Sequence, residues 1–389
     1  MSSKKKSVAA ASVVGLSVLI LSGCTALQSI VPAKAPNPDG KSHHVVAYNT
    51  PLAANEIWCA PLQLCWNEAM DTNGGSPLGG QSNNDIDDLN ARLFEKEDVG
   101  DDHYYIYADL VKDPEKTKAE IAQGLQDKLG QSSSMAIEPT IDDWFFYSML
   151  YRKFTYRTSF AKLDPAPFGF DMFSTYPYYG VTPDTPKASS MGQNIRVLYY
   201  ENEHEHAIAL ETKEGDMVVL VRNPVQGSAE DIWNAVADRA KKGHNADVFD
   251  AKVDEFKAPC INMDIEDSFD QLKGTTLTYQ GNTYVVSSTM QKTQFKMDEK
   301  GGEVKSEAIL MTSGASMGPI KPRLFHYNGD FAVLLIDAVN GIAQLPDSTD
   351  SEIYYEYADD TSFYLQNEDL FKMKPYFAAR INDLALFSE

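Results

Sequence analysis

One serine lies in a pattern used by nucleophilic hydrolases. Gly314, Ser316 and Gly318 fit G-x-S-x-G, in which the serine occupies a sharp turn between a strand and a helix. Pro319 and Pro322 follow closely, so no helix can begin there, and no strand-like run leads directly into the motif. The pattern favours a loop rich in small residues. A surface hydrolase that uses Ser316 is the weaker alternative.

Two histidines stand one residue apart among acidic residues. His204 and His206, in the sequence ENEHEH, would share one face of a strand, where imidazoles and a carboxylate can bind a metal ion. A third ligand is not apparent, so a solvated turn is the simpler interpretation. The sequence also contains neither a glycine-rich phosphate loop nor a Cys-x-x-Cys pair. We therefore expect no metal and no cofactor.

The elements that must position any site follow from capping residues and periodicity. Asp113 and Pro114 can begin a helix and Gly130 can end it, which predicts a helix over 114–129. A second helix is predicted over 228–242. Strand-like runs rich in Val, Tyr and Ile lie at 103–110, 195–200, 217–221, 284–295 and 331–336. Long strands mixed with helices, without regular alternation, predict an α+β body.

Composition excludes several classes of protein. The chain has 389 residues, with 34 Lys and Arg against 56 Asp and Glu, and a net charge of −22. A surface so acidic cannot neutralise phosphates, which argues against a nucleic-acid partner. Four cysteines in this length exclude a disulfide scaffold. The 43% apolar content is that of a globular protein with a large core.

The amino terminus has the features of a lipoprotein signal. Three lysines at 4–6 precede an uncharged apolar run over 7–22, and Leu21-Ser22-Gly23-Cys24 resembles a bacterial lipobox. An ordinary secretory signal and an uncleaved membrane anchor are the alternatives. We predict a signal peptide over 1–23, a lipid on Cys24 and a flexible tether over 24–46 rich in Pro and Ala. The protein would then face the periplasm or the cell exterior, attached to the membrane through its lipid anchor only.

Three cysteines remain in the predicted mature body. They are Cys59, Cys65 and Cys260, and because three is an odd number at least one should be free. Cys59 and Cys65 lie in an apolar segment, where buried thiols behave as small hydrophobic groups. A disulfide between these two is the alternative.

A period of two marks the segment 302–310. The residues of one parity are small or apolar, namely Gly302, Val304, Ser306, Ala308 and Leu310. The residues of the other parity are charged, namely Glu303, Lys305 and Glu307, until Ile309 interrupts the pattern. This alternation is typical of a strand with one buried face, and the loop rich in Gly, Ser and Pro follows it directly.

Several segments in order resemble the serpin family. The sequence MQKTQFKMDEKG at 290–301 is similar to the long serpin strand that runs into the hinge of the reactive loop. Weaker resemblances, in the family's order, cover 55–70, 195–221, 256–266, 269–274, 325–336 and 375–383. The resemblance implies a serpin-like domain over 47–389, with a large central mixed or antiparallel sheet, smaller sheets and surrounding helices. It also implies an insertion over 338–374 and Phe154 where the family has a tryptophan.

The same resemblance implies an inhibitor and not an enzyme. A serine or cysteine protease with a small or medium apolar primary pocket would cleave a reactive loop over 302–322, and the segment after the hinge would insert into the main sheet of a monomer. The implied hinge residues are Glu299, Lys300, Gly301, Gly302 and Glu303, and the inward face is Val304, Ser306, Ala308 and Leu310. The implied scissile bond is Ala315–Ser316, or alternatively Met317–Gly318. A non-inhibitory, serpin-like binding lipoprotein is the alternative function.

Overall fold

The structure is a computed structural model and describes residues 41–242, 248–301, 322–338 and 367–387. Cys24 and the loop positions from Gly302 to Gly318 lie outside these ranges, as does most of the predicted insertion. Within the described ranges, no helix is both long enough and apolar enough to cross a bilayer. The helices of these ranges are α1 (Pro61–Thr72), α2 (Asn84–Asn90), α3 (Pro114–Leu129), α4 (Ala188–Gly192), α5 (Ala229–Lys242) and α6 (Asn367–Leu370).

Helix α3 has the bounds that its capping residues predict. The Asp113 carboxylate accepts hydrogen bonds from the backbone amides of Glu115 and Lys116 at 3.1 and 3.2 Å. Gly130 ends the helix in the left-handed region at φ +63°, where the lack of a Cβ removes the steric penalty. The helix predicted over 114–129 is therefore confirmed.

Helix α5 begins one residue later than predicted. Ser228 and Asp231 form hydrogen bonds to each other's backbone amides at 3.1 and 2.9 Å, and this reciprocal pair satisfies two amides at the helix start. Ser228 thus caps the helix and is not its first residue. Ile232 and Trp233 are buried and attach the helix to the core.

The largest sheet has seven strands and contains the centre of the core. Across the sheet the strands are β1 (His43–His44), β3 (Glu56–Cys59), β19 (Phe377–Ile381), β18 (Phe331–Asp337), β10 (Asp216–Arg222), β9 (Glu205–Glu211) and β8 (Ile195–Asn202). β1 and β3 are parallel, and the other neighbours are antiparallel. Every residue of β10, β18 and β19 is buried, so both faces of this sheet are covered. The predicted α+β class with a large mixed sheet is confirmed.

A four-stranded sheet packs near the large one. Its strands in order are β17 (Leu324–His326), β12 (Glu255–Pro259), β7 (Asp171–Val181) and β6 (Ala161–Phe168). β6 and β7 form an antiparallel hairpin, and β12 pairs with β17 in parallel. β17 follows the loop outside the described residues, so this sheet holds the carboxyl end of that loop.

Four further strand pairs complete the described sheets. They are β4 (Tyr104–Leu110) with β5 (Trp144–Leu150), β13 (Ile261–Ser268) with β16 (Met290–Met297), β14 (Thr276–Tyr279) with β15 (Asn282–Val285), and β2 (Pro51–Leu52) with β11 (Gly227–Ser228). The prediction of one strand over 284–295 is wrong, because β15 ends at Val285 and β16 begins at Met290. The backbone between them leaves the ladder to hydrogen-bond elsewhere: the amides of Gly274 and Phe269 donate to the carbonyls of Val286 and Thr289.

The folded body begins before the predicted end of the tether. His43 and His44 form β1, and Val45 and Val46 are buried at 4% and 2% exposure. The Asp267 carboxylate contacts Nδ1 of both histidines at 2.7 Å, which attaches this segment to β13. A tether over 24–46 therefore ends earlier than expected, before His43.

Candidate functional site

A groove separates the pairs β4–β5 and β13–β16. One edge of β5 and one edge of β16 have no strand partner among the described residues. The space between these edges is a cavity of about 1040 Å³, lined along one side by β5 and along the other by β16. Two strand edges that face each other across a cavity offer backbone donors and acceptors to any strand placed between them.

Both ends of the groove are closed. At the amino ends of the two strands, the Trp144 ring lies 5.0 Å from the Tyr279 ring and 6.5 Å from the Tyr284 ring, centroid to centroid. At the carboxyl ends, a backbone bridge joins Thr155, just beyond β5, to Gly301, just beyond β16. Because their carboxyl ends meet, β5 and β16 run in the same direction along the groove.

At the carboxyl end, the backbone of residues 154–160 is hydrogen-bonded to the backbone of residues 299–301, and we call this contact the latch. The Tyr156 amide donates to the Lys300 carbonyl at 3.0 Å, and the Phe160 amide donates to the Glu299 carbonyl at 2.8 Å. Gly301 has φ +104°, and a Cβ there would lie 2.7 Å from the Phe154 carbonyl oxygen. Only glycine allows so close a backbone approach at this φ.

The chain reverses at the latch. Asp298 and Gly301 form an antiparallel bridge, and the Lys300 amide donates to the Asp298 carboxylate at 2.9 Å. The chain that follows Gly301 therefore starts at the carboxyl end of the groove. A strand that continued from there into the groove would run antiparallel to both β5 and β16.

Helix α1 forms the floor of the groove. Its side chains Leu62, Cys65, Trp66 and Ala69 line the cavity, together with Cys59 at the end of β3. Burial raises the pKa of both thiols to about 12, so both are protonated at neutral pH. The cysteines of the described residues are free, and the alternative disulfide between Cys59 and Cys65 is not formed.

β16 is fixed to the floor by its inward side chains. The Thr293 hydroxyl lies 2.8 Å from Nε2 of buried His44. The Gln291 amide group donates to the Cys59 carbonyl at 3.1 Å. These contacts hold β16 to β1 and β3, so the groove wall on this side is joined to the large sheet.

On the opposite wall, β5 lies between two helices. Its side chains Phe145, Tyr147 and Met149 pack in one cluster with Ile121 and Leu125 of α3. Trp144 and Phe146 pack instead in the cluster that contains Trp66 of α1. The segment 133–140, which is not helical, also lines the cavity. Helix α3 thus covers the β4–β5 pair.

A buried ionic network holds the carboxyl end of β5. The Arg152 guanidinium donates to both oxygens of Asp216 at 2.7 and 2.8 Å, and the Tyr376 hydroxyl donates to the same carboxylate at 3.0 Å. Arg152 also contacts His103, whose Nδ1 lies 2.8 Å from Asp337. Burial raises the pKa of Asp216, although Arg152 opposes this shift. The network connects the groove to the large sheet within three residues of the latch.

The two histidines of ENEHEH do not form a metal site. His204 lies in the exposed turn between β8 and β9, whereas His206 is fully buried on β9. The His206 ring is 5.8 Å from Tyr200 and 5.3 Å from Phe325, and burial lowers its pKa to about 3, which keeps it neutral. Within the described ranges, no group of three or more His, Cys, Asp or Glu residues is arranged to hold a metal ion. Ser316 lies outside these ranges.

The predicted hinge is the part of the site that the structure describes. Glu299, Lys300 and Gly301 all lie in the latch, and the Glu299 carboxylate contacts Lys162 at 3.3 Å. The remaining predicted positions lie outside the described residues: Gly302, Glu303, Val304, Ser306, Ala308, Leu310, Ala315, Ser316, Met317 and Gly318. Sequence reasoning missed Arg152 and Thr293, because a charge or hydroxyl in a strand-like run has no signal that distinguishes a buried network from an exposed face.

Comparison with known proteins gives matches among solved structures. Neither a protein-family profile nor a curated protein matches the chain. Human kallistatin is 10% identical, with 84% of this chain and 91% of kallistatin covered and a TM-score of 0.46. Serpin48 of Tenebrio molitor is 10% identical over 86% and 92%, with a TM-score of 0.41. Arabidopsis AtSerpin1, in its native stressed conformation, is 11% identical over 87% and 93%, with a TM-score of 0.42.

Proposed function

We propose that this protein inhibits proteases by inserting its cleaved loop into the groove between β5 and β16. The observation that supports this proposal most directly is the groove. It is bounded by two strand edges that run in the same direction, and the chain beyond its latch leads straight into the segment 302–310. The sequence resemblance to serpins supports the same mechanism.

The length and direction of the groove fit one strand of that segment. β5 has seven residues and β16 has eight, whereas the segment 302–310 has nine. At about 3.3 Å per residue, each wall extends for roughly 25 Å. A segment that folds back from Gly301 would pair antiparallel with both walls, which is the stronger of the two ladder geometries.

The alternation of the segment fits the surroundings of the groove. Small or apolar side chains at Val304, Ser306, Ala308 and Leu310 would point towards the apolar floor made by α1, and Glu303, Lys305 and Glu307 would point to solvent. Insertion would therefore bury an apolar face and give hydrogen-bond partners to the backbone amides and carbonyls of two strand edges, without burying a charge. The uncleaved state is then kinetically stable and not the state of lowest free energy.

The chemistry is that of an interrupted acyl transfer. The protease serine or cysteine attacks the carbonyl carbon of Ala315, or alternatively of Met317, and forms an acyl-enzyme. The peptide C–N bond breaks, and the amine of Ser316 or Gly318 leaves with a proton from the protease's acid. Insertion moves the attached protease and distorts its oxyanion hole, so that water no longer hydrolyses the ester or thioester. The apolar residue before the bond suits a small or medium apolar primary pocket.

Lipid attachment at Cys24 would place the inhibitor at the cell envelope. The lipobox-like sequence and the tether that follows it support this location, and the acidic body would keep clear of anionic headgroups. Target proteases would then be those that reach the bacterial surface or the periplasm.

The test compares two single substitutions in the inserting segment. The protein is incubated with elastase-, chymotrypsin- and subtilisin-type proteases, and covalent complexes that resist SDS are quantified. Ala308→Arg places a charge on the inward face, so we expect cleavage without complex, a loss of at least about tenfold, since an unpaired buried charge opposes insertion. Glu307→Arg, the matched control on the outward face, should leave complex formation within about twofold because its charge stays in solvent.

Cleavage of the loop gives a second measurement. Insertion should raise the melting temperature of the nicked wild-type protein well above that of the intact protein, and Ala308→Arg should abolish that increase. No complex with any of the proteases, together with nicked protein that melts no later than intact protein, would contradict inhibition. That result would favour the alternative, a binding lipoprotein with a static loop.

A further inference from the structure

The tip of the β6–β7 hairpin, residues 169–174, exposes an apolar cluster. Phe170 and Phe173 are as exposed as in an extended chain, at 103% and 100%, and Met172 is 69% exposed. No other part of the described body presents three large apolar side chains within four residues in this way. Such clusters on a soluble surface mark contact with a partner or a membrane.

The backbone of the tip is held by hydrogen bonds within the tip and by a hydrogen bond to the neighbouring chain. The Asp171 carboxylate accepts hydrogen bonds from the amides of Phe173 and Ser174 at 3.0 and 3.1 Å. The Gly169 amide donates to the Asn328 carbonyl at 2.9 Å, and the Phe168 ring packs 6.0 Å from the Phe331 ring. The backbone of the tip is therefore held in place, and it presents these apolar side chains to solvent.

The chain enters the body at the same end of the large sheet. β1 is parallel to β3 with His43 opposite Glu56, so Lys41 and Ser42, which precede β1, lie on the side of the amino end of β3 and Asn55. The Asn55 side chain accepts a hydrogen bond from the amide of Asn382 at 2.9 Å, and a Cβ on Gly169 would lie 3.9 Å from the Asn382 carbonyl oxygen. The tip and the start of the body thus lie within a few strand widths of each other.

Both ends of the 302–321 loop lie at the opposite end of the four-stranded sheet. The latch bonds to Phe160, which directly precedes β6, whereas the tip follows β6. The eight residues of β6 separate the two by about 25 Å. At the other end of the loop, Leu324 pairs with Glu255, at the end of the sheet marked by Val181 and away from the tip. The residues that flank the loop and the tip therefore lie at opposite ends of this sheet.

We propose that the hairpin tip inserts into the interfacial layer of a phospholipid bilayer and orients the body with its loop facing away from the membrane. This adds a contact beyond the lipid anchor. It rests on the predicted lipidation of Cys24 and is separate from the inhibitory mechanism. Sixteen residues lie between Cys24 and Lys41, and a flexible chain of that length has a root-mean-square reach of about 23 Å. The tether therefore keeps this end of the body near the bilayer.

Charge selects the kind of bilayer surface. The chain has a net charge of −22, so anionic headgroups repel it, and the tip offers apolar area and not positive charge. Phenylalanine rings that enter the boundary between headgroups and acyl chains gain by losing water contact, whatever the headgroup charge. The bilayer that fits is thus one of zwitterionic phospholipid.

The test measures the depth of the tip in phosphatidylcholine vesicles. Full-length lipidated protein carrying Phe173→Trp is reconstituted with or without brominated lipid, and the wild-type emission from its four tryptophans is subtracted. We expect brominated lipid to quench the added emission by about half, since an interfacial indole contacts the acyl chains. The matched control is Val248→Trp, 83% exposed beside Arg323 at the loop end, which should not be quenched.

Three outcomes would overturn the proposal. Unquenched Phe173→Trp would mean that the tip stays in water, and equal quenching at both positions would mean that the body has no preferred orientation. In a variant with Phe170→Ser, Met172→Ser and Phe173→Ser, covalent complex formation in vesicle-free solution should be unchanged, because the tip is remote from the loop. A slower reaction there would make the tip a protease-docking surface. If the tip is quenched but no protease complex forms, the proposed inhibition fails and the membrane contact stands.

Discussion

Gly301→Ala tests whether the latch keeps the groove ready for insertion. The new Cβ would lie 2.7 Å from the Phe154 carbonyl oxygen, 2.8 Å from Thr155 Cα and 2.9 Å from the Tyr156 nitrogen. All three are backbone atoms, so no side-chain rotation relieves the clash. The latch must separate, and its two backbone hydrogen bonds, from Tyr156 to Lys300 and from Phe160 to Glu299, are lost or lengthened.

The expected cost has two parts that a control variant separates. A left-handed φ costs a non-glycine residue about 1–2 kcal/mol, and two backbone hydrogen bonds contribute about 1–3 kcal/mol together. Gly281→Ala has the first part only, because Gly281 has φ +81° and nothing lies within 4 Å of its Cβ position. At about 2 °C per kcal/mol, intact Gly281→Ala should melt about 2–4 °C lower and intact Gly301→Ala about 4–10 °C lower.

The functional result follows from the position of the latch. Opening it frees the amino end of the inserting segment, so intact Gly301→Ala should lose inhibitory activity faster than Gly281→Ala during incubation at 37 °C. Melting is followed by circular dichroism, and activity by titration of covalent complex. Equal melting temperatures and equal rates of loss for the two variants would refute the reasoning, since they would mean that the latch contributes nothing beyond the φ of one glycine.

Two further predictions concern polar contacts that hold the groove walls. Arg152→Leu leaves the Asp216 carboxylate, 0% exposed, without its cation and should lower the free energy of unfolding by about 3–5 kcal/mol in a urea titration. Arg152→Leu with Asp216→Asn should recover most of that loss. Arg92→Leu, which breaks two partly exposed pairs with Asp71 and Glu95, should cost no more than about 2 kcal/mol. For Asp267, burial would raise the pKa, but hydrogen bonds from His44 and His43 outweigh it and lower the pKa to about 2. The stabilisation from this depressed pKa is present above about pH 4 and is lost as the pH falls towards 2, so the urea midpoint should fall over that range, and Asp267→Asn should make the decrease smaller.

Local features of this fold were predictable from sequence, and contacts between distant segments were not. Helix α3 follows from Asp113 and Gly130, because capping is decided within a few residues. The break after Val285 was missed, since Val286 continues a β-branched run and its hydrogen-bond partners, Gly274 and Thr275, lie elsewhere in the sequence. His206 carries no sequence signal for burial, as the aromatic rings around it come from residues 6 to 121 positions away, including Tyr200 and Tyr327.

The candidate site shows the same contrast between local features and contacts between distant segments. Glu299, Lys300 and Gly301 were singled out as a hinge only through the family resemblance, because a glycine after an acidic stretch is compatible with many turns; the structure places them in the latch. The groove could not be predicted, because an unpaired edge is a property of what lies beside a strand and not of its own residues. Arg152 is separated from Asp216 by 64 positions, and nothing in either local sequence indicates that they pair.

The unpaired edges of β5 and β16 have a consequence for assemblies of this protein. If the segment 302–310 inserts as proposed, the groove of one molecule would also accept that segment from a second molecule, which is a heterologous, head-to-tail contact. A contact of that kind adds successive copies in a line unless its rotation closes a ring. On the proposed mechanism, concentrated stocks and warm storage would favour such polymers, and the latch at Gly301 would oppose both their formation and the insertion of the intact loop within one molecule.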